Sequence, residues 1–406
     1  MVYLILIVLL LILIYHYDYQ DHTRGRREWF IFIAVYFILM AGLRYRIGGD
    51  TVNYSYNYPY YPDLFSYWTY DFENSRFGRG YLFLGAIAKT ISDNFVILQC
   101  ILSFYLNIVL FTFFYRNTTN IFTAALLYFF LAFFPLNMEV LRESCAVASF
   151  IMGWKFYYSH KWIKYYICCV LAILFHPSAL ITLIFPLFTL SLFKKIFTPS
   201  LLTGIIGLGL FFVGVLLTSK FFDIIQLIGM STIDDYAQTY QNSKFGTGRN
   251  YNLFGSLSFI FRCLLYPLII GWLVSQKKVS FPKSNDNHYC QSLMIMFLCY
   301  VYISSLSTSL VIINRFNNYL LPFLIVIMAD VIFNKIKLLN IRYKLSFSIW
   351  ALLLAPYIYI NTYGYFENSN AAGTANIHRY YPYSSIIDPK LDRERELLIY
   401  YIYFRK

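Results

Sequence analysis

The stretch from 41 to 54, AGLRYRIGGDTVNY, holds the densest set of residues in the chain that could do chemistry. Arg44 and Arg46 carry planar, permanently charged guanidinium groups, whose geometry suits phosphate oxygens. The Gly48-Gly49 pair would let backbone N–H groups approach a ligand closely, and Asp50 adds a carboxylate. Because the stretch follows an apolar run, the plain alternative is that the arginines only anchor a membrane edge.

A second group of charged residues lies at the end of a later apolar segment. Glu139, Arg142 and Glu143 stand at spacings of three and four, so a continuous helix would place them on one face. Charged side chains near a membrane span are costly unless they are paired or line a polar cavity, and they indicate a functional site. We expect one carboxylate to neutralise Arg142; an ion pair that merely holds the helix end is the alternative.

Two further groups sit where apolar runs break. His176 ends a run and precedes Pro177. Its imidazole titrates near neutrality and could accept a proton from a sugar hydroxyl. Arg315 lies in the same way between Asn314 and Asn317. A structural histidine and a membrane-edge arginine are the alternatives.

The elements that must position these residues are membrane-spanning helices. The chain has 406 residues, 59% hydrophobic and only 13% charged, with a mean hydropathy of +0.55. This composition excludes a soluble globular protein and predicts an all-α polytopic membrane protein. About twelve apolar runs can cross roughly 30 Å of hydrocarbon. They lie near residues 1–17, 29–43, 94–115, 120–136, 140–158, 162–176, 178–193, 200–218, 255–275, 289–311, 316–333 and 344–362.

Lysine and arginine in the short connections predict the orientation of these helices. The lysine-rich connections follow odd-numbered runs, which indicates that they are cytoplasmic and that the other face is external. One integral membrane domain, 1–406, would then carry a first external loop, 44–80, a second, 219–254, and an external tail, 363–406. We expect the first run to be a retained helix and not a removed signal peptide. The end of the tail could form an amphipathic interfacial helix.

Several classes of function are excluded by pattern. The net charge of +13 is scattered between apolar runs, so no nucleic-acid partner is expected. The seven cysteines have no metal-ligand spacing and read as buried apolar residues. No P-loop, Rossmann, HExxH, GxSxG or CxxC motif is present, and nothing near Asp234-Asp235 completes a magnesium site. We therefore expect an enzyme that uses neither metal nor nucleotide.

Five motifs in one order carry a family resemblance. The pattern R-Y-x-I-G-x-D-T-x-N-Y after an apolar segment resembles the EpsG family of Wzy-like polysaccharide polymerases. Four further motifs agree with it: LRESCAVAS at 141–149, FHPSAL at 175–180, NRFNNYLLP at 314–322 and YYPYSSIIDP at 380–389. The resemblance runs nearly end to end.

This resemblance implies a membrane glycosyltransferase of GT-C-like architecture in the bacterial cytoplasmic membrane, with its active face external. The growing chain on a polyprenyl pyrophosphate would be the donor, and a single lipid-linked repeat unit the acceptor. Membrane lipids, a chain-length regulator and a flippase are the further partners it implies. Direct attack on the anomeric carbon would invert it, and the enzyme would stabilise the charge on the leaving pyrophosphate.

The candidate residues take roles on this interpretation. Arg44, Arg46, Arg142 and Arg315 would contact the pyrophosphate, and Asp50, His176 or a glutamate would act as the base. Tyr54 and nearby aromatic residues would hold sugar rings. The remaining substrate-binding candidates are Gly49, Asn53, Glu139, Glu143, Asn314 and Tyr381.

Three rival functions stay open. A lipid-linked oligosaccharide flippase or transporter would share lipids and location, but it should show two pseudo-repeated halves, and the sequence shows no repeat. A membrane acyltransferase would also use a histidine in a polar cavity. An O-antigen-type ligase would share the donor and differ in the acceptor.

Overall fold

The computed structural model describes residues 1–73, 75, 77–193, 195–217, 257, 260–265, 267–269, 287–307, 311–338, 355, 357–367 and 373–401. Most of the described residues are helical, and the extended pairing among them is one isolated antiparallel bridge between Arg44 and Ser385. The predicted all-α membrane class is confirmed. The chain divides into two compact units, Met1–Leu183 with Ile336–Lys406, and Ile184–Lys335.

The first unit contains ten of the labelled helices. They are α1 (Val2–Leu13), α2 (Arg26–Gly42), α3 (Gly49–Asn57), α4 (Arg79–Ile91), α5 (Phe95–Asn117), α6 (Ile121–Tyr128), α7 (Leu141–Met152), α8 (Trp154–Tyr158), α9 (Trp162–Phe175) and, near the C-terminal end, α14 (Arg393–Ile399).

The second unit is built on α10 (Leu201–Leu217) and α11 (Asn287–Leu306), followed by α12 (Val311–Asn314) and most of α13 (Asn317–Leu338). Helices α10 and α11 pack closely because Gly214 has no side chain: a Cβ there would meet the Leu306 carbonyl oxygen. The Tyr302 hydroxyl donates to the Ile196 carbonyl at 2.5 Å.

The described residues contain three helical stretches that are long and apolar enough to cross a membrane, Val2–Tyr19, Phe95–Asn117 and His288–Leu306. Five shorter apolar helices accompany them, so the predicted count of about twelve is not confirmed. The run 140–158 is interrupted at Gly153. Much of 255–275 and of 344–362 lies outside the described residues.

Helices α7 and α9 are too short to span alone. They have 12 and 14 residues, or roughly 18 and 21 Å at a helical rise of about 1.5 Å per residue, against about 30 Å of hydrocarbon. Both stop about halfway along α5: the Tyr105 ring lies 6.0 Å from the Phe175 ring at the end of α9. The chain just before α7 is at the same level, since Asn107 donates to the Asn137 Oδ1 at 2.7 Å.

A buried polar triangle fixes the chain at this level. Asn137 donates to the Tyr128 hydroxyl at 2.6 Å, and that hydroxyl donates to the Asn107 Oδ1 at 2.9 Å. The triangle spans α5, α6 and the π-helical turn Pro135–Glu139. A π-helical turn departs from the hydrogen-bond pattern of an α-helix. Here side-chain amides hold the irregular segment that leads to Glu139.

The predicted external segments differ in outcome. Segment 44–80 is ordered where described and contains α3, two short 3₁₀ turns and the start of α4. Segment 219–254 lies outside the described residues. In the tail, α14 buries Arg395, Leu398 and Ile399 against the protein, and its location at a membrane interface stays a prediction. Which face of the membrane these segments occupy stays a prediction.

Candidate functional site

Helix α3 begins in a tight contact with the chain before α7. Gly48 has a φ of 87°, and a Cβ there would meet the Met138 carbonyl oxygen, so only glycine fits. The Thr51 hydroxyl donates to the same carbonyl oxygen at 2.6 Å. The Asp50 N–H donates to the Glu139 Oε2 at 2.9 Å. The Glu139 carboxylate therefore caps the positive end of α3.

Glu139 is separated from Arg142 by a break in the helix. Val140 has φ −85° and ψ 57°, and α7 begins only at Leu141. The prediction that Glu139, Arg142 and Glu143 share one helix face is therefore wrong for Glu139. Its Oε1 instead accepts from the Tyr380 hydroxyl at 3.0 Å.

The C-terminal segment brings an arginine to the same carboxylate. Arg379 Nη1 lies 3.8 Å from the Glu139 Oε1, and both side chains are largely buried. The Arg379 carbonyl oxygen accepts from the Gly48 N–H at 3.0 Å. Arg379 thus belongs to the candidate site, although no role was predicted for it from the sequence.

Arg142, in the first turn of α7, contacts α3 one turn beyond Asp50 and lies over two aromatic rings. Its Nε donates to the Tyr54 hydroxyl at 3.1 Å. Its guanidinium carbon lies 5.9 Å from the Tyr54 ring centre and 5.3 Å from that of Phe77. Asp50 and Tyr54 are four residues apart on α3, or roughly 6 Å along its axis at a rise of about 1.5 Å per residue, so Glu139 and Arg142 contact neighbouring turns of this helix.

His176 is joined to this group through the start of α4. A Cβ on Gly78 would lie 2.6 Å from the Leu174 carbonyl oxygen and 2.8 Å from that of Phe175. The residue after Phe77 therefore packs directly against the end of α9. Gly78, just before α4, thus links Phe77, whose ring lies beneath Arg142, to Phe175, the residue before His176.

The His176 imidazole is buried, with 3% of the residue exposed. Its Nδ1 accepts from the Ser178 N–H at 3.2 Å and lies 2.7 Å from the Ser178 Oγ. An accepting Nδ1 favours the neutral tautomer with its proton on Nε2. A proton can therefore reach Nδ1 through the Ser178 hydroxyl, a residue inside the FHPSAL motif that received no separate role.

Arg44 is bound to the scaffold. It is 2% exposed and donates to the carbonyl oxygens of Ala41 and Ile47 and, at 2.9 Å, to the Thr51 hydroxyl. Burial lowers the pKa of its guanidinium to about 10. These contacts shape the turn that leads into α3, and this placement is that of a structural residue.

Arg46 makes a bidentate ion pair. Its Nε and Nη2 donate to the two Glu396 carboxylate oxygens at 2.8 and 2.6 Å. Hydrogen bonding to Glu396 raises the pKa of Arg46. The side chains are 25% and 32% exposed, so the pair lies at the surface of the unit. The Glu396 carboxylate therefore occupies the two guanidinium donors of Arg46 that would suit a phosphate.

The C-terminal segment holds the 43–48 turn in place. The Tyr45 N–H donates to the Ser384 carbonyl oxygen, and the Ile386 N–H to that of Leu43, each at 2.9 Å. Arg395, 1% exposed, fixes the segment by donating to the carbonyl oxygens of His378 and Pro382. Burial lowers the pKa of Arg395.

The other predicted residues are placed as follows. Gly49 is the first residue of α3, and the Asn53 side chain accepts from Asn57 at 3.2 Å within that helix. Glu143 is buried in the first turn of α7. Tyr381 is 51% exposed, whereas its neighbour Tyr380 is buried against Glu139.

Asn314 and Arg315 belong to the second unit, where the Asn317 side chain donates to the Asn314 Oδ1 at 3.0 Å. Within the described residues, no group of three or more histidine, cysteine, aspartate or glutamate side chains could hold a metal ion. Asp234-Asp235 lies outside the described ranges.

The structure therefore adds four residues to those proposed from sequence: Phe77, Ser178, Arg379 and Tyr380. Ser178 and Tyr380 lie inside quoted motifs, and Arg379 directly precedes one, so proximity to the motifs was the available signal. Phe77 had no signal, because it is one of 40 phenylalanines in the chain.

Comparison with known proteins gives one family. Neither a search of curated proteins nor a search of solved structures returned a match. The family profile described as EpsG family matches residues 27–385. That range covers most of the chain and contains α3 to α13, four of the five motifs, and the first six residues of the fifth motif. The protein therefore belongs to the EpsG family, which indicates a polysaccharide polymerase-like function in the membrane.

Proposed function

We propose that the protein joins polyprenyl-pyrophosphate-linked oligosaccharide units into a polysaccharide at the external face of a bacterial cytoplasmic membrane. The observation that carries this proposal is the convergence at α3. This helix contacts Glu139 through Asp50 and Arg142 through Tyr54. Through Phe77 and Gly78 the group reaches the end of α9. Motifs far apart in sequence thus supply cationic, acidic and imidazole groups to one region.

Arg142 is our principal candidate for the pyrophosphate, and Arg379, which lies 3.8 Å from the Glu139 carboxylate, is a second candidate. An arginine held over aromatic rings is positioned before the ligand arrives, so little side-chain entropy is lost on binding. Such preorganised donors stabilise the charge that develops on a leaving phosphate. Arg46 would join them once Glu396 releases its fork. Arg315 remains a candidate from the second unit, and Arg44 keeps the turn in shape.

The reaction is a single displacement. The acceptor hydroxyl oxygen forms a bond to the anomeric carbon, and the bond from that carbon to the pyrophosphate oxygen breaks with its electron pair. The hydroxyl proton passes to a base. Asp50 lies on α3 and can take it directly, whereas His176 takes it at Nδ1 through the Ser178 hydroxyl.

Substitution distinguishes these two bases. Asp50→Asn keeps size and hydrogen bonding and removes the carboxylate. His176→Gln and Ser178→Ala test the imidazole route. General-base catalysis contributes roughly 10²–10⁴-fold, so the true base gives a loss of that size in polymer formed by purified protein in vesicles. If His176→Gln polymerises normally, the general-base role of His176 is wrong and Asp50 becomes the better candidate; if neither substitution matters, a glutamate is the candidate that is left.

A deletion strain tests the function itself. Loss of a polymerase leaves surface glycan with single capped repeat units. Loss of a flippase instead causes lipid-linked intermediates to accumulate on the cytoplasmic side, and that result would replace the proposal. Ligase loss would leave polymer made but unattached.

Cysteine labelling in intact cells tests the proposed orientation. Cysteines introduced at Asp71 or Glu73, both exposed, should react with an impermeant reagent. Cysteines introduced at 277–283, outside the described residues, should not react. The reverse pattern would put the site on the cytoplasmic face.

A further inference from the structure

Residues 58–69 carry six aromatic side chains that divide between the inside and the outside of the first unit. The buried ones are Tyr58, Tyr61 and Tyr67. The others, Tyr60, Phe65 and Trp68, are 79%, 87% and 80% exposed. Isolated exposed apolar residues are common on proteins, but three large rings within nine residues mark a surface made for contact.

The backbone that presents these rings is fixed. The Tyr58 hydroxyl donates to the Ser92 carbonyl oxygen, and the Leu64 N–H to the Thr90 hydroxyl, each at 3.0 Å. At the other end, the Tyr67 hydroxyl donates to the Arg79 carbonyl oxygen at 2.9 Å. The exposed rings are therefore held outward by a rigid frame rather than left over in a loose loop.

This frame is attached at the level where α5 begins. Thr90 and Ser92 come directly before Phe95, the first residue of α5. With 23 residues, α5 is roughly 34 Å long, slightly more than the roughly 30 Å hydrocarbon layer. Its first turn therefore lies at a membrane edge, and exposed Phe104, further along α5, faces lipid.

We infer that residues 58–69 dock into the lipid headgroup layer, with Tyr60, Phe65 and Trp68 inserted among the lipids. Tryptophan and tyrosine concentrate at this depth because their rings are apolar while their polar atoms stay hydrated. Asp63 fits the headgroup layer and not the hydrocarbon below it. Its carboxylate is partly exposed and accepts from the Ser66 N–H at 2.8 Å.

The contact has a consequence for the candidate site. The same segment continues to Phe77, beneath Arg142, and to Gly78, against the end of α9. A membrane contact at 58–69 would fix the depth of these groups relative to the lipid headgroups. The headgroups contain the phosphates of the lipids. This consequence rests on the proposed function, but the membrane contact itself does not.

Tryptophan fluorescence of the full-length protein in phosphatidylcholine–phosphatidylglycerol vesicles tests the inference. The difference between wild type and Trp68→Phe gives the emission of Trp68. We expect that emission to fall when the lipids are brominated near the headgroup end of their chains, to fall less with bromine near the chain ends, and to be little affected by aqueous iodide. Trp29→Phe is the control, because Trp29 lies on α2 among exposed apolar residues and reports ordinary lipid contact.

The opposite pattern would overturn the inference: strong iodide quenching and no effect of brominated lipid. Shielding from iodide by added oligosaccharide would then indicate a glycan surface instead. If Trp68→Phe lowers the amount of protein, Phe65→Trp in the otherwise wild-type protein adds a second probe at the neighbouring exposed ring, and the same quenching is expected for the added emission. No outcome depends on polymerase activity, so the proposed function can fail without this inference.

Discussion

The turn at 43–48 and the segment at 139–142 both supply arginine to α3, yet they use it differently. In the turn, Arg44 donates to backbone and hydroxyl oxygens, and Arg46 grips the Glu396 carboxylate. In the other segment, Arg142 lies over two aromatic rings and touches one tyrosine hydroxyl.

The difference teaches that residue type alone did not reveal which arginines serve a ligand. Arg44 and Arg46 already bind oxygen atoms of the protein. To bind a ligand they would have to break these charged hydrogen bonds, which would weaken ligand binding. The Arg142 guanidinium is already oriented by the Tyr54 hydroxyl and by the faces of the Tyr54 and Phe77 rings. The 43–48 turn therefore shapes this region, and we propose that 139–142 supplies the cation that binds the ligand.

Arg142→Lys gives the largest expected effect. Lysine keeps the charge but loses the planar fork and its stacking. Losing one preorganised donor costs roughly 3–4 kcal/mol of transition-state stabilisation, about a hundredfold or more in rate. We expect folded protein, lipid-linked unit and almost no polymer, measured by chain length on gels at matched expression. Arg315→Lys makes the same test in the second unit.

Arg116→Lys is the matched control for both variants, because Arg116 lies in the last turn of α5, away from α3. Normal polymer from Arg142→Lys and Arg315→Lys would show that these arginines only anchor the membrane edge.

Arg44→Met should act on stability and not on the chemical step. The substitution leaves the Ala41 and Ile47 carbonyl oxygens without their buried donor. We expect a loss of roughly 2–3 kcal/mol in the free energy of unfolding, seen as a lower midpoint in thermal unfolding. Activity per folded molecule should stay close to that of wild type. A hundredfold loss of activity at unchanged stability would place Arg44 with Arg142 instead.

Arg379→Gln tests the cation that the C-terminal segment brings to Glu139. Removing it takes one positive charge from beside α3, and we expect roughly a tenfold loss of rate, or about 1.4 kcal/mol. Arg393→Gln, an exposed residue of α14, should have no effect. Equal behaviour of the two variants would remove Arg379 from the site.

Glu396→Gln gives the smallest effect. It breaks the ion pair with Arg46, and a partly exposed pair is worth roughly 0.2–1 kcal/mol. The thermal midpoint should fall slightly, while binding of polyprenyl pyrophosphate in nanodiscs improves because the Arg46 fork is released. Glu394→Gln on the same helix is the control. Weaker lipid binding by Glu396→Gln alone would mean that Glu396 positions Arg46 for its ligand.

Much of the fold and part of the site could be predicted from sequence. Apolar runs identified a helical membrane protein, because a spanning segment must bury its backbone polar groups in a long apolar helix. The motifs led to the EpsG family and to Asp50, Tyr54 and Arg142, which the structure brings together at α3. They also led to His176, which follows the end of α9, where Gly78 packs.

Other features could not be read from local patterns. Period and spacing assumed a continuous helix through Glu139, but a π-helical turn and the buried Asn107–Tyr128–Asn137 triangle end it at Val140. Only contacts between distant segments decide such a break. The short reach of α7 and α9 was likewise hidden, since apolar composition does not report where a helix stops.

What the sequence determined by itself is therefore the inventory: an apolar helical chain, its family, and the charged residues too costly to lie in a membrane without a purpose. Tertiary structure decided how each charge is used. The C-terminal segment folds back over 350 residues of chain to hold Arg46 with Glu396 and to place Arg379 beside Glu139. An ion pair depends on a few ångströms of separation and on burial, and neither is encoded in the local sequence around an arginine.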